Sequence, residues 1–202
     1  LYKHMAPRLC VLLIVAGADA LRLAPARLIS TRSLTLDVVG DSWPADTAIG
    51  SAACQYAISF SNADGLAVSR VDGEYARMRF EDTLFHLSVR GHPKTIPAGC
   101  EAVGTRLLMS DKFVNVFEFR LAPGKSCAYH RHVLPYCFVN LSSSLTQALD
   151  SDAQPVGEPV FQNEGHCVHV APNQLGEHGV LNVGSTEFLQ FIVELKVECA
   201  GS

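Results

Sequence analysis

The sequence predicts an all-β fold, an antiparallel sandwich or barrel with an N-terminal extension, on three observations. From Thr105 onward, apolar and polar residues alternate with period two in short runs, the spacing that turns one face of a strand to a core and the other to water. Turn-forming residues separate the runs at Ser110-Asp111, Pro123-Gly124, the Ser/Asp/Pro-rich stretch 142–159 and Asn182-Val183-Gly184, as in sandwiches and barrels built of many short strands. His130 and His132 stand at i and i+2 in one run, where strand geometry brings both imidazoles to one face.

The predicted strands are 105–109, 113–121, 128–132, 137–141, 160–162, 167–170, 178–182 and 188–197. The last is long enough to offer an edge for pairing with a second copy in a homodimer. Upstream the signals are mixed. Ser42-Trp43-Pro44 reads as the cap of a helix through the Ala-rich stretch 45–60, broken by Asn62-Ala63-Asp64-Gly65. Residues 74–90 alternate weakly, as two strands would, and turns follow at His92-Pro93 and Pro97-Ala98-Gly99. His86 and His92 fall in this region, where core or solvated roles are expected of them.

Around the histidine pair, Gly124 precedes His130 and His132 with the spacing G-x5-H-x-H, and His178 is followed by Asn182 as H-x3-N. With these two motifs the stretch 103–196 resembles a cupin. The form His130-Arg131-His132-x3-Tyr136 is similar to that of small single-domain cupins assigned to beta-alanine degradation. The resemblance implies an antiparallel jelly-roll barrel over 103–198 and a metal held by His130, His132 and His178 at the barrel mouth. It also carries departures. Where most cupins have a glutamate after the second histidine, this chain has Tyr136 and Cys137, and Ser143 stands where a turn glycine is expected. The spacings Gly165 to Pro172 and Pro172 to His178 each run one residue long.

Three neutral imidazoles hold a divalent ion without cancelling its charge, so such a site favours an anionic ligand, whether carboxylate, thiolate, enolate or hydroxide. The expected cofactor is one divalent ion, Fe(II) favoured, with Zn, Mn or Ni as the other choices. The expected partner is a small anionic substrate. Tyr136 has an ordinary phenol pKa near 10, which makes it a poor ligand and a better hydrogen-bond donor to substrate or oxygen, its expected catalytic role. Oxygen-dependent, dioxygenase-like oxidation is the leading reaction, with a lyase or isomerase step behind it. A non-catalytic cupin that binds a metal or ligand for sensing, storage or assembly is the alternative. Arg131, between the two histidines, is expected on the opposite face. His166 and His169 rank below His178 as ligands, and Cys127 and Cys137 are expected to pack rather than react.

Of 202 residues, 48% are hydrophobic and 18% charged, with a net charge of −4. This is enough for one full core and offers no basic surface for nucleic acid. Residues 1–4 read as a vector-derived scar, with Met5 the native start and Gly201-Ser202 also vector-derived. Residues 5–20 have a charged start, a short apolar core and the Ala18-Asp19-Ala20 site of a signal peptide. Residues 21–36 carry Arg22, Arg27 and Arg32 among hydroxyl residues and no acid, the composition of a transit segment. The two together resemble the plastid address of algae with complex plastids, and simple secretion competes with it. No membrane contact is expected of the mature form. Residues 37–102 are left as an extension packing on the barrel. Seven cysteines show no C-x2-C pair and no regular spacing, so buried free thiols are expected for most of them.

Overall fold

The computed structural model describes residues 26–30, 34–39, 54–61, 65–70, 83–90, 92–94, 103–171, 174 and 176–198, and among these there is no helix. Five strands make an N-terminal sheet: β1 (Ala26–Ser30), β2 (Leu34–Val39), β3 (Cys54–Ser61), β4 (Gly65–Arg70) and β5 (Thr83–Val89), in the spatial order β1-β2-β5-β3-β4. The short β6 (His92–Pro93) pairs with β16 (Val197–Glu198). The helix expected over 45–60 is corrected for its second half, since Cys54–Ser61 is a strand; residues 45–53 lie outside the described residues. Tyr56 and Ile58 are fully buried on one face, and β3 is hydrogen-bonded to β4 on one side and β5 on the other. Pairing on both edges outweighs the local helix preference of alanine. Of the two strands expected in 74–90, β5 falls among the described residues.

The remaining strands are β7 (Arg106–Ser110), β8 (Val114–Leu121), β9 (Ser126–His130), β10 (Tyr136–Asn140), β11 (Ser144–Leu149), β12 (Pro155–Gln162), β13 (Cys167–Val170), β14 (His178–Asn182) and β15 (Phe188–Leu195). They form two sheets, β13-β10-β15-β8-β7 and β12-β11-β14-β9, all antiparallel. The pairing is nested: β8 with β15, β9 with β14, β10 with β13, β11 with β12. A long hairpin folded over on itself in this way is an eight-stranded jelly roll, as expected.

Alternation assigns the two faces of the first barrel sheet. Phe117, Phe119, Tyr136, Val170, Phe188 and Ile192 point between the sheets and form the barrel core. Val116, Cys137, Val139, Phe191, Val193 and Leu195 point the other way and share a second core with Leu34, Leu36, Tyr56 and Phe85 of the N-terminal sheet. A polar joint borders that second core. The Tyr56 hydroxyl donates to Asp111 Oδ2 at 2.6 Å and Arg70 lies 3.6 Å from the same carboxylate. Burial pushes the Asp111 carboxyl up, but the Tyr56 hydroxyl, the Phe113 and Val114 amides and Arg70 outweigh it and hold the acid below its usual range.

The barrel strand missing from the sequence reading is β11, inside the Ser/Asp/Pro-rich stretch. Its inward residues Ser144 and Thr146 are buried but polar, so no apolar alternation marks it. Their hydroxyls are satisfied within the sheet by the flanking strands: Ser144 donates to Asn182 Oδ1 of β14 at 2.8 Å, and Thr146 accepts from Gln162 Nε2 of β12 at 3.1 Å.

Candidate metal centre

The two sequence motifs meet through the backbone. Gly124 takes a φ of 72° in the turn before β9, a conformation glycine adopts without strain. Its amide donates to the Asn182 carbonyl at 2.8 Å, and the Asn182 amide donates back to the Lys125 carbonyl at 2.9 Å. The Asn182 side chain then donates to the Leu121 and Thr186 carbonyls, both at 2.8 Å. Asn182 is therefore a clamp that fixes β14 against β9 rather than a ligand.

From that clamp the strands run to the histidines. His130, the last residue of β9, stands opposite His178, the first of β14, while Cys127 stands opposite Val180. Two residues of β9 thus face the single Gly179, a bulge that lets both Cys127 and His130 turn inward. His132 lies two residues past the end of β9, and the chain re-enters a strand at Tyr136. His130 and His132 are buried at 5% and 4% exposure. Arg131 between them points out, 3.6 Å from Glu177 in an exposed ion pair, as expected.

The three imidazoles converge, with one ring nitrogen from each lying within 4.8 Å of the others. The hydrogen bonds of two rings fix their tautomers. His130 Nδ1 is 2.9 Å from the Ala128 carbonyl and His178 Nδ1 is 2.9 Å from the Gly176 carbonyl. A carbonyl only accepts, so both Nδ1 atoms carry the hydrogen and both Nε2 lone pairs are left for the centre. His132 Nε2 lies 3.1 Å from His130 Nε2. Nitrogens bound to one ion at about 2.0–2.1 Å stand roughly 3 Å apart. His132 Nδ1 is buried without a hydrogen-bond partner. Burial, together with the His130 and His178 rings, holds the His132 imidazole down to about 3, so it is neutral at ordinary pH. Neutral, pre-oriented nitrogen donors of this kind fit a divalent transition metal.

Tyr136 stacks on the His132 ring, with centroids 4.0 Å apart and planes 17° apart, and is 3% exposed. Cys137 faces the other way, into the second core, where burial pushes its thiol up to about 12. Of the two positions where a motif carboxylate could stand, 136 thus faces the centre as Tyr136 and 137 points away from it. Cys127 faces the barrel interior, accepts the Val180 amide at 3.3 Å, and is likewise held protonated by burial. Cys127 and Cys137 are free thiols. His169 shares the outward face of Cys137, its register partner, and His166 packs edge-on against Phe138. Neither joins the cluster.

Glu194 is the residue that sequence reasoning missed. It is 2% exposed, sits on the inner face of β15 directly opposite Tyr136, and accepts from Asn115 Nδ2 at 2.9 Å. The available signal was an acid within the run Phe188–Leu195, whose other residues are apolar except Gln190. Burial raises its pKa, against the opposing influence of Asn115 and Lys196. A raised folded-state pKa means that this group's contribution to stability is full below the ordinary glutamate value of 4.5 and is lost as pH rises through the folded value. Glu194→Gln keeps an acceptor for Asn115 and removes the ionisation. Its stability, followed by urea denaturation between pH 4 and 8, should lose that dependence and at pH 7 should match or exceed the parent by on the order of 1 kcal/mol. A clearly less stable variant at pH 7 would contradict this account.

No family model and no curated protein matches the chain. Solved structures do. A cupin domain from Bordetella pertussis Tohama I aligns over 45% of this chain and 90% of its own, with 24% identity and a TM-score of 0.38. A cupin 2 conserved barrel domain protein from Leptotrichia buccalis aligns over 90% and 92%, with 8% identity and a TM-score of 0.43. An RmlC-like cupin family protein with a double-stranded β-helix fold from Methanocaldococcus jannaschii aligns over 54% and 92%, with 16% identity and a TM-score of 0.36. All three are cupin barrels.

Proposed function

We propose that the chain is a metal-dependent jelly-roll enzyme acting on a small anionic metabolite. The observation that carries this reading is the pair of Nδ1 hydrogen bonds to the Ala128 and Gly176 carbonyls, which aim the His130 and His178 Nε2 lone pairs at one point beside His132 Nε2. A divalent ion there, Fe(II) favoured over Zn, Mn or Ni, would supply Lewis-acid chemistry and, as iron, redox chemistry with dioxygen. His130, His132 and His178 hold it without neutralising its charge, which favours an anionic substrate. The likeness of the His130-Arg131-His132-x3-Tyr136 motif to cupins of beta-alanine degradation also points to a carboxylate. In this reading Tyr136, stacked on His132, would donate a hydrogen bond to bound substrate, and Glu194, its register partner, would hold or accept a proton. An oxygen-dependent oxidation is the first reaction and a lyase or isomerase step the second.

The absence of a motif carboxylate, with Tyr136 on the centre and Cys137 in the second core, favours a second reading, a non-catalytic metal- or ligand-binding cupin. One experiment separates the two. Purified protein reconstituted with Fe(II) is assayed for oxygen uptake and for turnover of small carboxylates and thiols. Turnover that requires the metal and falls at least tenfold in Tyr136→Phe supports the enzyme. Stoichiometric metal with no turnover across the set supports the binding protein.

For localisation we propose entry to the secretory route, and a plastid or the exterior as destination. Cleavage is then expected N-terminal to Ala26, because β1 and β2 bury Leu28, Ile29, Leu34 and Leu36. The intact mass of the mature chain reads the cleavage point directly, and a start beyond Leu36 would contradict it.

A further inference from the structure

Inward-facing side chains of a small jelly roll are ordinarily covered by the opposite sheet. Here one band of them is not. Ala148, Val156 and Val180 are register partners on β11, β12 and β14 and so share a face. That face points inward, because Val180 packs in the barrel core. Val160 shares it through its partner Thr146. Yet Val156 is 44% exposed and Val160 57% exposed, Ala148 is exposed, and Val180 is only partly buried. On the facing sheet, Phe138 and Val168 are likewise inward and incompletely covered.

The opening has a structural cause. The two barrel sheets end at β12 and β13, and among the described residues those edges are not paired with each other. A bulge in β12, with Gly157 at φ 69°, bends that edge. The far end is closed by amides, where Gln190 Nε2 donates to Asn140 Oδ1 at 2.8 Å and Gln162 Nε2 donates to Thr146 Oγ1 at 3.1 Å. What remains is a slot that starts beside His178 on β14 and runs across β11 to β12. Its length is two strand spacings, about 10 Å, and its width about 10 Å between sheets.

We propose that this slot seats the apolar body of the substrate. Resting on the metal-enzyme reading above, the inference narrows the substrate class to a small carboxylate with one aromatic ring or a short branched acyl chain, and sets aside sugars and polyols. The walls are Val156, Val160, Val168, Val180, Ala148 and Phe138, which offer burial and no hydrogen bond to a hydroxyl-rich ligand. No lysine or arginine stands among the described inward-facing residues. An anionic head entering the slot has only the three-histidine centre to neutralise it.

The test uses the full chain with defined probes. Loaded with zinc, the protein is titrated calorimetrically with acetate, phenylacetate and gluconate. Phenylacetate is expected to bind at least tenfold more tightly than acetate, and gluconate no more tightly. Val160→Glu and Val156→Glu, both at exposed positions, should each remove most of the phenylacetate gain and leave acetate unchanged. Metal-free protein is titrated in parallel with benzyl alcohol, which carries no ligand for the ion. Amide shifts centred on Ala148, Val156 and Val180 support the slot even if zinc fails to bind, in which case the metal-enzyme reading falls alone. Equal affinity for acetate and phenylacetate overturns the inference, and so does benzyl alcohol without shifts in this band. A dimer in sedimentation that Val160→Glu dissociates also overturns it, by showing that a second copy covers the face.

Discussion

Changing His130 and His132 together to alanine should take the full chain from about one bound ion per molecule to none detectable by elemental analysis. The reasoning starts from donor count. One imidazole, His178, remains, with its Nδ1 hydrogen still committed to the Gly176 carbonyl, and a single neutral nitrogen does not hold a divalent ion against water. The metal-free variant sets its own baseline, because the change removes the buried, unpartnered His132 Nδ1 but also two buried rings, the His130 Nδ1 hydrogen bond to the Ala128 carbonyl and the stack on Tyr136. Metal linkage then separates the two proteins. At a free zinc concentration a hundredfold above its dissociation constant, the parent gains about 2.7 kcal/mol against unfolding and the variant gains nothing. His178→Ala alone should lower the affinity and leave part of the gain. Full occupancy in the double variant, or equal stabilisation of both proteins by zinc, would rule out the three-histidine assignment.

The centre was legible in the sequence because its parts are local. His130, His132 and Tyr136 lie within seven positions, and their convergence depends on strand alternation and one turn. The third histidine of the cluster needed a second motif, and the structure supplies the connection: Gly124 and Asn182, the outer ends of the two motifs, are hydrogen-bonded to each other. One local expectation was too simple. His132 does not share a strand face with His130, since β9 ends at His130, and the bulge opposite Gly179 does part of the aiming. The strands β13 and β14 fall where the alternation put them, because their inward and outward residues differ in polarity.

Other parts were hidden for physical reasons. In β11 the buried face is made of hydroxyls satisfied by the flanking strands of its own sheet, so hydrophobicity carries no trace of it. Glu194 was legible only as an acid in a largely apolar run, since long-range pairing with β8 and β10 is what reveals that its side chain points inward. The N-terminal sheet was obscured by composition. The arginine-rich, acid-poor stretch over 21–36 reads as an address, yet Leu28, Ile29, Leu34 and Leu36 within it are core residues of β1 and β2. A segment can carry the composition of one role while its apolar positions serve another, and local counting cannot separate the two.

The same second core leads to the other large effect expected. Phe191→Ala should cost about 3–5 kcal/mol, read as a lower urea midpoint at unchanged slope. Phe191 is fully buried at the centre of β15 and meets Phe85 of β5 edge-on, with centroids 4.9 Å apart and planes at 66°. Truncation therefore removes a large apolar side chain and an aromatic pair worth about 0.5–1.5 kcal/mol more. The cavity would open where the N-terminal sheet rests on the barrel, between strands with backbone partners on both edges, which limits how far either sheet can collapse to refill it. For a domain whose total stability is about 5–15 kcal/mol, that is a large share. The consequence for the centre is a sharp one. Phe191 and Ile192 are neighbours on one strand, but their side chains lie on opposite faces and belong to different cores. Metal stoichiometry in the folded variant should therefore stay near one per chain while stability falls. A loss below about 1 kcal/mol would mean that the two sheets do not bear on each other through this residue.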